Sequence, residues 1–199
     1  MTTNRISDYA LFGGAALAMG AVGASDAGAQ GVDGFYGGLS LGLADADNYI
    51  GNSSEYNFTG AAAGAFVGYN VSLQGFVVGG ELSYVDEYKV DDNGGSFYLN
   101  MGLAHVTELR GRVGKVFGST FAYGLLGYTK ADAYTEGTEG VNSDAQGLSY
   151  GVGFEHPLGS NMFIGGEIVR QDLDVDDHVY VYDNSLKMDT ASIRFGLRF

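Results

Sequence analysis

The sequence predicts an all-β fold, an eight-stranded antiparallel transmembrane β-barrel. Three observations carry this expectation. Apolar residues alternate with Gly, Ser and polar residues along segments about ten residues long, the period-two signature of strands. Short turns and long acidic stretches alternate between these segments. The composition joins 34 Gly to 13% aromatic residues, with one Pro and no Cys or Trp. That much Gly disfavours helices, and that many aromatics disfavours disorder. With 199 residues the chain suits one domain. A net charge of −14 excludes a binder of nucleic-acid phosphates. The absence of Cys excludes disulfides, thiolate metal sites and thiol nucleophiles. No apolar run is long enough for a helical membrane span, a criterion that leaves strand-built barrels open.

The first element is an export signal. Arg5 precedes a run of small and apolar residues from Ala10 to Ala24, too short to span a bilayer. Ala27 and Ala29 supply the small residues at −3 and −1 of a signal-peptidase site. Residues 1–29 are therefore expected to be the signal and 30–199 the barrel domain.

The strands follow. Phe35 to Ala44 places Phe35, Leu39, Leu41 and Leu43 on one face. Gly60 to Val71 aligns Ala61, Ala63, Ala65, Val67, Tyr69 and Val71, with Phe66 the exception on the opposite face. Phe76 to Val85 sets Phe76, Val78, Leu82 and Tyr84 against Glu81 and Ser83. Leu103 to Phe117 sets Leu109 and Val113 against Glu108, Arg110 and Arg112. Thr120 to Lys130 reads as a strand of undecided facing. Leu148 to His156 opposes Tyr150, Val152 and Phe154 to Ser149, Gly153 and Glu155. Met162 to Gln171 opposes Ile164 and Ile168 to Glu167, and Lys187 to Phe199 opposes Ile193, Phe195, Leu197 and Phe199 to Arg194 and Arg198. Short links are expected at Ser72–Gly75, Gly118–Ser119 and Pro157–Asn161. Long loops are expected at Asp45–Thr59, Asp86–Gly102, Ala131–Gly147 and Asp172–Leu186. Short turns on one rim and long loops on the other are the outer-membrane pattern.

Charge decides which face meets lipid. The non-apolar face is too poor in Lys and Glu for a water-exposed surface, which argues against a secreted barrel with its apolar face inside. A charge facing lipid at mid-membrane costs about 2–4 kcal/mol. Glu81, Arg110, Arg112, Glu167 and Arg194 are therefore expected inside. At roughly 3.4 Å per residue and a tilt near 40°, Glu81, Arg112, Glu167 and Arg194 rise about 13–16 Å above the short-turn rim. Paired in one layer, they would close a narrow lumen.

Gly34-Phe35-Tyr36-Gly37-Gly38, Gly64-Ala65-Phe66-Val67-Gly68-Tyr69-Asn70, Glu108-Leu109-Arg110-Gly111-Arg112-Val113-Gly114 and the ending Ile193-Arg194-Phe195-Gly196-Leu197-Arg198-Phe199 together carry a resemblance. The chain resembles the small eight-stranded outer-membrane beta-barrel proteins of Gram-negative bacteria, of the opacity-type, porin-like kind. Lys115 and His156 stand where such strands often end in Tyr. The resemblance implies an outer-membrane location among lipid and lipopolysaccharide. It also implies that Ile193, Phe195, Leu197 and Phe199 are read by the barrel-assembly machinery.

Catalytic and metal motifs are missing from the sequence. The three His, His105, His156 and His178, read as rim or loop residues. Asp172, Asp174, Asp176, Asp177 and Asp183 crowd one expected loop, which lacks the Gly and Glu of an EF-hand and reads as solvated. No metal or cofactor is expected. The expected role is non-catalytic, in envelope structure or surface interaction, with an extracellular ligand of the acidic loops as a partner. A small porin-like channel for ions or solutes is the alternative, and a barrel enzyme acting on lipid or peptide a more distant one. The envelope form should begin at Gln30 on N-terminal sequencing, and Met1 or Thr2 in the assembled protein would refute the signal.

Overall fold

The structure, a computed structural model, describes residues 31–50, 55–90, 101–135, 142–176 and 184–199. The expected signal with Ala27 and Ala29, and His178, Asp177 and Asp183, lie outside the described residues. Eight strands follow in order: β1 (Gly34–Ile50), β2 (Glu55–Leu73), β3 (Phe76–Val90), β4 (Met101–Phe117), β5 (Thr120–Thr135), β6 (Asn142–Leu158), β7 (Met162–Asp176) and β8 (Asn184–Arg198). Each pairs antiparallel with its neighbours, and β8 pairs with β1 to close the barrel. Closure leaves no open sheet edge, which a bilayer core requires because it offers backbone groups no water.

Three tight turns form one rim. Gln74 and Gly75 link β2 to β3. Gly118, at φ 64°, opens the two-residue turn between β4 and β5, where a positive φ matches the strands' twist. Residues 159–161 link β6 to β7. Pro157, expected in that turn, instead lies on β6 opposite Phe163. The β5 ladder ends at Glu155, two residues earlier, so Pro157 has no β5 partner whose bond it could remove.

The strands run 15–19 residues, well beyond the 9–11 that cross a bilayer. The segments expected as long loops from Asp45, Asp86, Ala131 and Asp172 thus begin and end as strand. Outward charge in these stretches reads as loop sequence, yet the alternation continues through it. On β7 the outward residues run Ile164 and Ile168, then Arg170 and Asp174, while Val169 and Leu173 stay buried inside. On β8, Ala191 and Ile193 give way outside to Asp189 and Lys187, with Met188 and Leu186 buried.

This division sets the membrane boundary. Leu39, Leu41, Leu43, Leu109, Leu126, Val152 and Ile168 are each more than 60% exposed on the outer wall. The outward apolar run of β1 from Phe35 to Leu43 rises about 20 Å along the membrane normal at a tilt near 40°. That approaches the height of a membrane barrel's apolar band. Above it the outer wall meets water and the interior turns apolar. Tyr88, Leu103, Val106, Leu173, Leu186 and Met188 pack there as one buried cluster.

The unsettled facing of Thr120–Lys130 resolves here. Phe121, Tyr123 and Leu125 point inward and Leu126 and Tyr128 outward. Phe66, the exception on β2, is buried against Tyr36 and Phe163.

At the closing seam the Phe199 amide donates to the Phe35 carbonyl at 2.9 Å. We expect deletion of Phe199 to leave periplasmic aggregate or proteolysed chain, whereas deletion within 177–183 leaves assembly intact. Heat-modifiable gel mobility reads barrel closure, and normal closure without Phe199 would remove its assembly role.

Candidate functional site

The interior below the apolar cluster is a packed network of charges. All five residues singled out from alternation lie inside the barrel: Glu81 on β3, Arg110 and Arg112 on β4, Glu167 on β7 and Arg194 on β8. Each is at most 6% exposed. Neighbouring strands bring some together directly, since Glu81 stands opposite Arg110 across the β3–β4 ladder. Others meet only across the bore.

Glu81 is the centre. Arg110 Nε donates to its Oε1 at 2.9 Å, and Arg110 Nη2 contacts the same oxygen. Its Oε2 accepts from Arg112 Nη1 at 2.8 Å, Arg194 Nη2 at 2.7 Å and the Tyr36 hydroxyl at 2.8 Å. One carboxylate thus meets three guanidiniums. Glu167 forms a second node. It accepts from Arg110 Nη2 at 2.8 Å, from the Tyr123 hydroxyl at 2.6 Å and from Arg194 Nη1.

Three further charges complete the set beyond the five expected from alternation. Glu155 accepts from Arg112 Nη1 and from Arg198 Nη2, each at 2.8 Å. Glu108 lies 3.7 Å from Arg110 Nη1 and accepts from the Ser149 hydroxyl at 2.7 Å. Glu81, Glu108, Glu155 and Glu167 therefore balance Arg110, Arg112, Arg194 and Arg198. Glu108, Glu155 and Arg198 share the inward parity of their strand-mates, a signal sufficient to include them. No periodicity marks Tyr36 or Tyr123 as their hydroxyl partners.

Aromatic rings finish what carboxylates leave open. The Arg112 carbon Cζ stands 4.2 Å from the Tyr123 ring centroid and 4.6 Å from that of Tyr36. Arg112 Nε and Nη2 have no hydrogen-bond partner in the protein, and the two ring faces supply electrostatic compensation instead. Arg194 lies over Phe66 at 3.7 Å and Arg198 over Phe163 at 4.6 Å. Space for these rings comes from inward glycines. A Cβ on Gly153 would stand 2.6 Å from Tyr123 Cζ, so only Gly admits the ring there.

Little volume remains. A cavity of about 50 Å³ lies between the charges and the apolar cluster, lined in part by Ser40, Ser83, Gln171, Thr190 and Ser192. At the short-turn rim Val32 packs with Val77 and Phe121, and the Asn70 side chain holds the Val32 carbonyl at 3.1 Å.

The remaining sequence candidates lie elsewhere. His105 is exposed on β4 at a bulge, with φ 52°, and its Nδ1 faces Asp132 Oδ2 at 2.9 Å. His156 Nδ1 stands 3.0 Å from the Thr120 hydroxyl. Asp172 and Asp174 belong to β7 rather than to a loop. Among the described residues no three His, Cys, Asp or Glu side chains converge as metal ligands. Ile193, Phe195 and Leu197 face lipid, and Phe199 follows the end of β8.

A model of the outer membrane protein beta-barrel domain matches residues 14–199. The chain belongs to that family. It is an outer-membrane β-barrel protein of a Gram-negative bacterium, and the short-turn rim faces the periplasm. The Neisserial surface protein NspA shares the fold at a TM-score of 0.51 and 12% identity, over 85% of this chain and 99% of its own. Ail, the attachment invasion locus protein of Yersinia pestis, aligns at 0.49 and 16% identity, over 83% of this chain and 99% of its own. OprG from Pseudomonas aeruginosa aligns at 0.46 and 16% identity, over 86% and 99%. No curated protein sequence matches this barrel.

Removing one partner from a buried ion network strands the others, at a cost of about 3–5 kcal/mol. Glu81→Ala leaves three guanidiniums short of one carboxylate and should lower the unfolding temperature of the refolded barrel strongly. Asp86→Ala, on the exposed outer wall, should leave it nearly unchanged. Equal stability of Glu81→Ala and wild type would show that the network contributes nothing.

Proposed function

We propose that this protein is a non-catalytic outer-membrane barrel with a closed lumen, serving envelope structure or surface interaction rather than transport. The observation that carries the reading is the Glu81 node, where three guanidiniums and a tyrosine hydroxyl converge on one buried carboxylate. An eight-stranded barrel has an interior that side chains can fill, and here Arg and aromatic side chains occupy it from opposite walls. A hydrated ion crossing this layer would have to displace paired charges. It would next meet the cluster around Leu173 and Met188, whose mostly apolar side chains do not replace a hydration shell.

The non-catalytic part rests on the exterior. The His105–Asp132 pair orients an imidazole, but the neighbouring Thr107 hydroxyl donates to the His105 carbonyl at 3.3 Å. A hydroxyl committed to a backbone acceptor is not poised to be deprotonated by that imidazole. Lipopolysaccharide around the wall, the barrel-assembly machinery at the Ile193–Phe199 ending and an external ligand of the acidic rim are the proposed partners. Since the lumen charges cancel, the chain's negative charge is carried outside them, mostly by the strand ends and connections of the external rim. That sign favours a cationic partner.

Conductance of the refolded mature protein in planar bilayers tests the closed lumen. The expected trace is silent at moderate voltage. Steady, reproducible steps from wild-type protein would replace this reading with that of a small channel.

A further inference from the structure

Two side chains at the periplasmic rim are buried where their position should expose them. Val77 and Phe121 are each the second residue of their strand, beside a turn, yet Val77 is 3% exposed and Phe121 0%. Their cluster has one member from outside the strands, Val32, which is itself buried. Val32 therefore covers them from the periplasmic side.

Gly34 turns the chain to that place. Pairing of β1 with β2 ends at Gly34, opposite Asn70. Gly34 has φ 103°, in the left-handed region that favours glycine. A Cβ there would also stand 3.0 Å from the Phe199 carbonyl oxygen. Residues 31–33 thus leave the ladder and cross the mouth of the barrel. Side chains of β2 hold them. Asn70 Nδ2 donates to the Val32 carbonyl at 3.1 Å, and the Ser72 hydroxyl donates to Asp33 Oδ1 at 2.6 Å. Asn70 is fully buried, and its Oδ1 has no hydrogen-bond partner in the protein. The Val32 carbonyl is the acceptor that keeps this buried amide from being stranded.

Behind the covered residues lies the lower edge of the ion network. Phe121 stands opposite Glu155 across the β5–β6 ladder, and the Arg112 carbon Cζ is 5.5 Å from the Phe121 ring centroid. The two ends of the bore are closed in different ways. At the outer end the cluster around Leu173 and Met188 is made of strand residues, fixed by the wall itself. At the periplasmic end the cover is a segment joined to the wall through Gly34 and two side-chain hydrogen bonds. We propose that residues 31–33 are a hinged strap, which seals the periplasmic mouth when Val32 is seated and opens it by swinging about Gly34. Opening breaks two hydrogen bonds and withdraws one valine, and it leaves the strand pairings and the ion network in place. The strap is a second closure, distinct from the Glu81 node.

The chain has no Cys, so one introduced thiol reports on each end. Val77→Cys places it beneath Val32, and Met188→Cys places it in the outer cluster. Each mature protein is refolded in octyl glucoside and treated with a charged methanethiosulfonate, which reaches the bore only through water. The Val77→Cys thiol should react far more slowly than the same thiol in urea. Adding Val32→Asp, Asn70→Ala or Gly34→Ala should speed its modification about tenfold or more, because access limits thiol exchange. Met188→Cys should keep its rate with each addition. Heat-modifiable mobility confirms that every variant is a closed barrel. Rapid modification of Val77→Cys without a second substitution would show an open mouth and overturn the strap. An unchanged rate after Val32→Asp would do the same, as would equal acceleration of Met188→Cys, the mark of general loosening. Bilayer recordings separate the two closures. Silent traces with a rapidly modified Val77→Cys would remove the strap and leave the ion network as the seal. Conductance steps that arise only with Val32→Asp would support the strap and remove the network from that role.

Discussion

Glu81 is the residue through which the interior is held together. A small barrel in a membrane has its backbone satisfied by closure, but its bore must still be filled by side chains from opposite walls. Here they are largely charged, and charges withdrawn from water are tolerable only when matched in number and geometry. Three guanidiniums from β4 and β8 meet on one carboxylate of β3, and each then reaches onward to Glu167 or Glu155. Tyr36 and Tyr123 add hydroxyl donors to the carboxylates and ring faces to Arg112. The glycines of the inner wall follow from this demand for room, since rings lie where a Cβ would stand, as Tyr123 does against Gly153.

The same strands serve two solvents. Within the bilayer the outer wall is Leu, Ile, Val and Phe, and the inner wall carries the ion network. Above the bilayer the outer wall carries Arg170, Asp172, Lys187 and Asp189, and the inner wall holds Leu173, Leu186 and Met188. No residue is inserted to achieve the change on β7 or β8, because pairing between them is continuous from Met162–Leu197 to Val175–Asn184. The alternation keeps its phase, and the residue classes exchange places when the solvent outside exchanges lipid for water. The projecting part is built as a water-soluble barrel, with an apolar interior that caps the charged lumen below.

The pairing of charges inside the barrel and the acidity of the rim are thereby separate properties. The four inner carboxylates are matched by four inner guanidiniums, so the field felt outside comes from the acids beyond the membrane boundary. Within that acidic rim the cations of the outer wall are partly committed to it, as Arg170 is to Asp189. The result is a wall that presents carboxylates beside tyrosines at headgroup level, above a bore with no net charge.

The sequence by itself determined the fold class, the strand number, the short turns and which residues share a face, because period-two alternation is a property of each strand alone. It also marked Glu81, Arg110, Arg112, Glu167 and Arg194 as a set, since a lipid-facing charge is so costly. The strand ends were legible only on the short-turn side. Toward the external rim, charge at Arg170 or Asp189 reads alike in a loop and on a strand that has left the membrane. The facing of Thr120–Lys130 was undecidable locally, because Phe121, Tyr123, Leu126 and Tyr128 put bulky residues on both faces. Only the tertiary structure decided which partners meet. That Arg112 bridges Glu81 to Glu155, or that Tyr123 reaches Glu167, depends on the stagger of strands around a closed circle, and stagger is set by all eight pairings together.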